Sequence, residues 1–151
     1  MKPLLTLVFV MFSAAVAVAQ DNAEPSGQVP ADIIISGETA DLNEFLWIKR
    51  PLVVFADSPA DPRYTLQMEY LTDRLEYLDD LDVVILTDTD PSADSALRKK
   101  LRPRGFMLVL MGKDGTIYLR KPLPWDVREI SRAIDKMPMR QQEIRDRRGG
   151  S

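Results

Sequence analysis

Asp57, Ser58, Asp61 and Arg63 lie within one short stretch, with Asp88, Arg102 and Arg104 further on. Gathered at one place, these side chains could do chemistry. The carboxylates could move protons as acid and base, while the arginines and the N–H groups of a helix start could hold an anionic group. Asp57, Asp61, Asp88 and Asp90 also offer the hard oxygen ligands that a divalent cation takes, although no recognised metal-loop spacing is present. A plainer role fits each residue singly: Asp61 and Asp90 as helix caps, Asp57 as a turn former, Arg104 as the partner of a nearby carboxylate. No residue is therefore assigned to catalysis, cofactor binding or metal binding, and the seven stand as a candidate polar pocket.

The 151 residues include no cysteine and no histidine. Without a thiolate there is neither thiol-disulfide exchange nor cysteine-based peroxidase chemistry. Without imidazole there is no Ser-His-Asp or Cys-His catalysis and no histidine-ligated zinc. No glycine-rich phosphate loop or internal repeat occurs, so no cofactor is expected. Two function classes remain: a non-catalytic binding or accessory module, and a thiol-independent enzyme using a carboxylate/arginine pocket after the first core strand.

The elements that must position these residues follow from periodicity. PLVVFA at Pro51 to Ala56 is continuously apolar, as a central strand buried on both faces requires. Asp61-Pro62 then opens a helix, with Tyr64, Met68, Leu71, Leu75 and Leu78 marking one stripe to about Leu78. Leu81 to Leu86 reads as the second core strand, and Asp90-Pro91 opens a helix through Leu97 and Leu101. Phe106 to Met111 and Thr116 to Arg120, joined by Lys113-Asp114-Gly115, form an antiparallel hairpin. Asp126 and Glu129 start a last helix, which Pro138 disrupts. Before all of these, Ile33 to Ile35 fits a short strand and Asp41 with Glu44 caps a helix over Leu42 to Ile48. Trp47 and Trp125 bound amphipathic elements and are expected to pack against the sheet. Met137-Pro138-Met139 suits either a helix end packed on the core or an adaptable partner contact.

This order, β-α-β followed by β-β-α, predicts an α/β fold with a mixed sheet of about four to five strands flanked by helices, and it resembles that of thioredoxin. The segments RPLVVFADSPADPR at Arg50 to Arg63, RGFMLVLMGKDG at Arg104 to Gly115 and KMPMR at Lys136 to Arg140 are similar to the bacterial domain of unknown function 4174 family. The resemblance covers roughly Leu42 to Arg140 and implies a thioredoxin- or peroxiredoxin-like fold without an established reaction. It also implies where a redox relative carries its cysteine pair, and this chain has Ser58-Pro59-Ala60-Asp61 there. The cis-proline of such relatives would fall near Met107, where neither Phe106 nor Met107 is proline.

Around the domain, an apolar run from Pro3 ends in Ala17-Val18-Ala19, which reads as a signal peptide cleaved after Ala19 and directs the protein to the periplasm or the medium. Residues 20–40 have linker composition, 41–140 form the domain and 141–151 an arginine-rich polar tail. The mature chain is expected to carry no transmembrane span. From Asp57 to Asp94 there are eleven acidic and two basic residues, and from Arg98 to Arg148 fifteen basic and six acidic, so a fold that separated the two would have a strong dipole. Arg98, Lys99, Lys100, Arg145, Arg147 and Arg148 could meet an anionic surface or simply form solvated helix faces. An envelope protein or peptide is the other candidate partner. Nucleic acid is not expected, since no aromatic residues interleave the charges.

Overall fold

A computed structural model describes residues 33–150, and the expected signal peptide and the linker stretch 20–32 lie outside the described residues. The strands are β1 Ile34–Ser36, β2 Arg50–Phe55, β3 Val83–Asp88, β4 Met107–Met111 and β5 Ile117–Lys121. They form one mixed sheet in the order β1-β3-β2-β4-β5. β2 pairs parallel with β3 along its length and antiparallel with β4 from Leu52 to Phe55, so the backbone of that upper part has a neighbour on either side.

Strand residues alternate between faces, and both faces are covered, which is why β2, β3 and β4 read as unbroken apolar runs. Leu52, Val54, Ile85, Leu108 and Leu110 pack on one side against Leu71, Leu78, Ile130 and Ile134. Those partners come from α1 Pro62–Thr72, α2 Leu75–Asp80 and α4 Val127–Asp135. On the other side Val53, Phe55, Leu86 and Val109 pack against Leu42 and against Leu97 and Leu101 of α3 Ala96–Leu101.

Several expected elements take a different form. The long helix to Leu78 is two helices, since α1 ends at its Asp73 cap and Arg74, with φ −137° and ψ 30°, leaves the helical backbone before α2. The apolar stripe survives the break, with Leu71 and Leu78 both fully buried. The helix expected from Asp90-Pro91 is a single tight turn, Pro91–Ala93, after which Asp94 turns left-handed and Ser95 caps α3. Likewise, Asp41 opens only the 3-10 turn Leu42–Phe45. Beyond that turn Trp47 has φ 65° and is 66% exposed, so it does not pack on the sheet, whereas Trp125 does lie against the core. The short strand expected at Ile33 to Ile35 does form, as β1 Ile34–Ser36 paired parallel with β3, although it falls within the stretch 20–40 of linker composition.

The largest departure is at the C-terminus. Pro138 does not close a helix but opens another, α5 Pro138–Gly149, so the residues read as a tail are ordered structure. Met137 just before it is buried in the core, the first of the two roles that sequence allowed. What holds α5 is charge. Arg50, at the foot of β2, has no exposed surface; it donates to the Leu81 carbonyl at 2.8 Å and to Glu143 Oε1 at 2.8 Å. Lys113 reaches Glu143 Oε1 at 2.9 Å and Asp82 at 2.7 Å, and Arg140 reaches Glu143 Oε2 at 3.4 Å. Burial pushes the Glu143 carboxyl up, but hydrogen bonds from Lys113 and Arg50 and the charges of both outweigh it and hold the pKa at about 2.

Because that folded-state pKa lies below the ordinary 4.5, the stability it provides is complete above 4.5 and disappears as pH falls towards 2. Glu143→Gln is expected to cost about 3 kcal/mol at neutral pH. It should also flatten the loss of stability between pH 4.5 and 2, as followed by urea denaturation at a series of pH values.

Candidate functional site

At the upper end of β2 the chain leaves the sheet at Ala56, whose N–H donates to the Asp88 carbonyl at 3.0 Å. Ser58 then folds the next residues into a turn: Ala60 N–H donates to its Oγ at 3.1 Å, and Asp61 N–H to its carbonyl at 3.2 Å. Asp61 caps α1, accepting from Arg63 N–H at 2.9 Å, with Pro62 pre-set at the first helical position. The Arg63 guanidinium bends back onto the same carboxylate with two bonds, Nε to Oδ1 at 3.1 Å and Nη2 to Oδ2 at 2.8 Å. It also lies over the Phe106 ring, 5.7 Å from the centroid.

Gly105 passes close beside this pair. A Cβ built on it would lie 3.9 Å from Arg63 Nη2 and 4.0 Å from Asp57 Oδ2, and its φ of +60° suits glycine. Asp57, Ser58, Ala60, Asp61, Pro62 and Arg63 line a shallow depression of about 500 Å³. The hydrogen bonds from Arg63 hold the Asp61 carboxyl below the usual range, and Asp61 raises the Arg63 guanidinium in return. At the next cap, bonds from the Ser92 hydroxyl and N–H lower Asp90 in the same way.

Asp88 does not join the depression. It is 1% exposed, and its Oδ2 accepts from the Ser95 hydroxyl while Oδ1 accepts from Arg98 Nε at 2.9 Å. Arg98 also donates to the Ala56 carbonyl at 2.8 Å and packs over the Phe55 ring at 5.4 Å, tying the ends of β2 and β3 to α3. Arg98 is thus taken out of the basic set that could meet an anionic surface. Lys99 pairs with Asp94 at 3.2 Å, and Arg145 bonds Gln142 on α5. The acidic and basic stretches are not held apart either, since Asp82–Lys113 and Asp88–Arg98 join them.

Of the seven candidates, the structure therefore brings together Asp57, Ser58, Asp61 and Arg63 and turns Asp88 inward. Arg102 and Arg104 are exposed, and among the described residues their side chains make no hydrogen bond or ion pair. Asp57, Asp61, Asp88 and Asp90 form no group able to hold a metal ion among the described residues. Sequence reasoning missed Arg98, Arg50 and Glu143. It also missed Gln67, fully buried, which accepts from Trp125 N–H at 2.9 Å and donates to the Trp125 carbonyl at 2.8 Å.

The pattern of the domain of unknown function DUF4174 matches residues 41–143. The chain belongs to the DUF4174 family. Its fold is thioredoxin-like: chloroplastic thioredoxin z, in a structure described as defining a novel type-specific target recognition, matches this DUF4174 domain with a TM-score of 0.51 and 22% identity. That match covers 68% of this chain and 90% of the other. The structure of a malarial protein gives a TM-score of 0.49 and 16% identity, over 58% of this chain and 96% of its own. No curated protein matches the chain.

Asp88→Ala would leave Arg98, whose side chain is 10% exposed, beside Phe55 without its buried carboxylate, an expected loss of about 3 kcal/mol. Thermal or urea unfolding checks the figure; a loss under 1 kcal/mol would show that the clamp contributes little.

Proposed function

We propose that this DUF4174 domain is a non-catalytic binding or accessory module that meets its partner through the end of the sheet where β2 gives way to α1. The observation that supports the reading is how the carboxylates there are used. Asp61 is bound by its own helix and by Arg63, and Asp88 is enclosed by Ser95 and Arg98. A general acid at neutral pH needs a carboxyl raised towards neutrality, whereas Asp61, Asp90 and Glu143 are all lowered. Asp57, Ser58 and Arg104 remain exposed as contact groups.

The setting we propose is the bacterial envelope after export, on the strength of the apolar run from Pro3 to Ala19 and its small-residue ending. Chloroplastic thioredoxin z is described by its target recognition, and a recognition role on the same fold is consistent with a chain that has no thiols. The partner is an envelope protein or peptide.

The test is a pull-down from envelope extract with the chain from Gln20 onward, beside the same chain carrying Asp57→Ala and Arg104→Ala. A protein held by the first and reduced at least about tenfold with the second, at unchanged melting temperature, is the expected result. Equal recovery by both would move the binding surface elsewhere. Turnover of an anionic substrate that is abolished by Asp57→Ala would replace the binding module with the enzyme.

A further inference from the structure

A second surface lies away from the sheet end, where the junction of α1 and α2 faces the first turn of α4. Between them runs a groove of about 580 Å³, within the range of small-ligand sites. One wall carries Tyr70, Asp73, Arg74 and Tyr77, the other Asp126 and Arg128. Each wall thus brings an acid and an arginine. Several such neighbours elsewhere on the surface pair, as Asp61 does with Arg63, Asp94 with Lys99 and Glu129 with Arg132. In the groove they do not: the side chains of Asp73, Arg74 and Arg128 make no hydrogen bond or ion pair among the described residues. Asp126 is used by its own helix, accepting from Glu129 N–H at 2.9 Å.

The spacing between the walls is built in. The buried Gln67 side chain of α1 clasps both backbone groups of Trp125, the residue before the α4 cap, and so fixes where α4 starts. α1 ends at Thr72 and α2 begins at Leu75, which sets Arg74 and Tyr77 on the facing wall. Charges of both signs line the groove beside two tyrosine rings. Guanidinium groups take carboxylates with two bonds, and tyrosine rings take apolar side chains at little entropic cost. A purely anionic ligand would also meet Asp73 and Asp126.

We propose that this groove binds a short peptide segment of mixed charge, with an acidic side chain at Arg74 and Arg128, a basic one at Asp73, and an apolar one against Tyr70 and Tyr77. The probe is acetylated and amidated Lys-Phe-Glu, titrated into the isotope-labelled full chain and followed by nuclear magnetic resonance. Saturable shifts are expected at the amides of Tyr70, Tyr77 and Arg128. Arg74→Gln with Arg128→Gln, both exposed, should weaken binding at least about fivefold, as should Lys-Phe-Gln in place of the probe. Asp73→Asn should weaken Lys-Phe-Glu but leave Gln-Phe-Glu unchanged. The Asp57→Ala and Arg104→Ala changes at the sheet end should leave the titration as it was, which separates this groove from the surface proposed above. The proposal is overturned if no groove amide shifts up to about 10 mM peptide, or if the arginine substitutions leave the affinity intact.

Discussion

A guanidinium with no exposed surface sits at the foot of the central strand, and much of the molecule is arranged around it. A cation in that position is tolerated only when a counter-charge and hydrogen-bond acceptors come to it. The Leu81 carbonyl supplies one acceptor and Glu143 the counter-charge. Glu143 in turn carries Lys113 and Arg140, and through Lys113 it reaches Asp82 in the turn before β3. The foot of the sheet is therefore an ionic knot that spans most of the chain. It requires α5 to be part of the fold, although no residue of α5 is buried in the core.

At the opposite end of the sheet the same logic works on a smaller scale. Asp88 and Arg98 are drawn inward together, and Arg98 spends its remaining donors on the Ala56 and Asp88 carbonyls. That clamp fixes the exit of β2 and so the place where the turn through Ser58 begins. The turn delivers Asp61 to its cap and Arg63 to Asp61 and Phe106. What remains exposed at this end is Asp57, Ser58, Arg102 and Arg104, on a surface whose backbone is set from beneath. The position that holds reactive thiols in redox relatives of the fold holds a turn and a helix cap here.

The two polar surfaces differ in what holds them open. At the sheet end the charges have closed on each other and the surface is shallow. In the groove beside α4, a buried amide fixes where α4 starts, and among the described residues the side chains of Asp73, Arg74 and Arg128 stay unpaired. Exposed ion pairs contribute little stability, so such charges can stand unpaired at little cost to the fold.

Much of this was legible in the residues. PLVVFA fits a strand buried on both faces, Asp61-Pro62 the start of a helix, and Lys113-Asp114-Gly115 the turn of a hairpin, so order and fold class followed from local pattern. The absence of cysteine alone excluded thiol chemistry. Asp57 to Arg63 could be grouped because they are neighbours in the chain. Pairings across the fold could not. Arg98 stands in a basic run that looks like a solvated face, and only the packing of α3 against β2 and β3 turns it inward to Asp88. Glu143 lies in a segment with no apolar stripe, so hydrophobic periodicity gave no reason to fold it back; its reason is the charge of Arg50, 93 residues away. Sequence determined the strands and most of the helices, since these depend on residues within a few turns of one another, whereas α5 answers to Arg50 across the fold. Which charges are buried, which remain free and where a groove stays open were decided by tertiary structure, because those outcomes depend on distances that only packing sets.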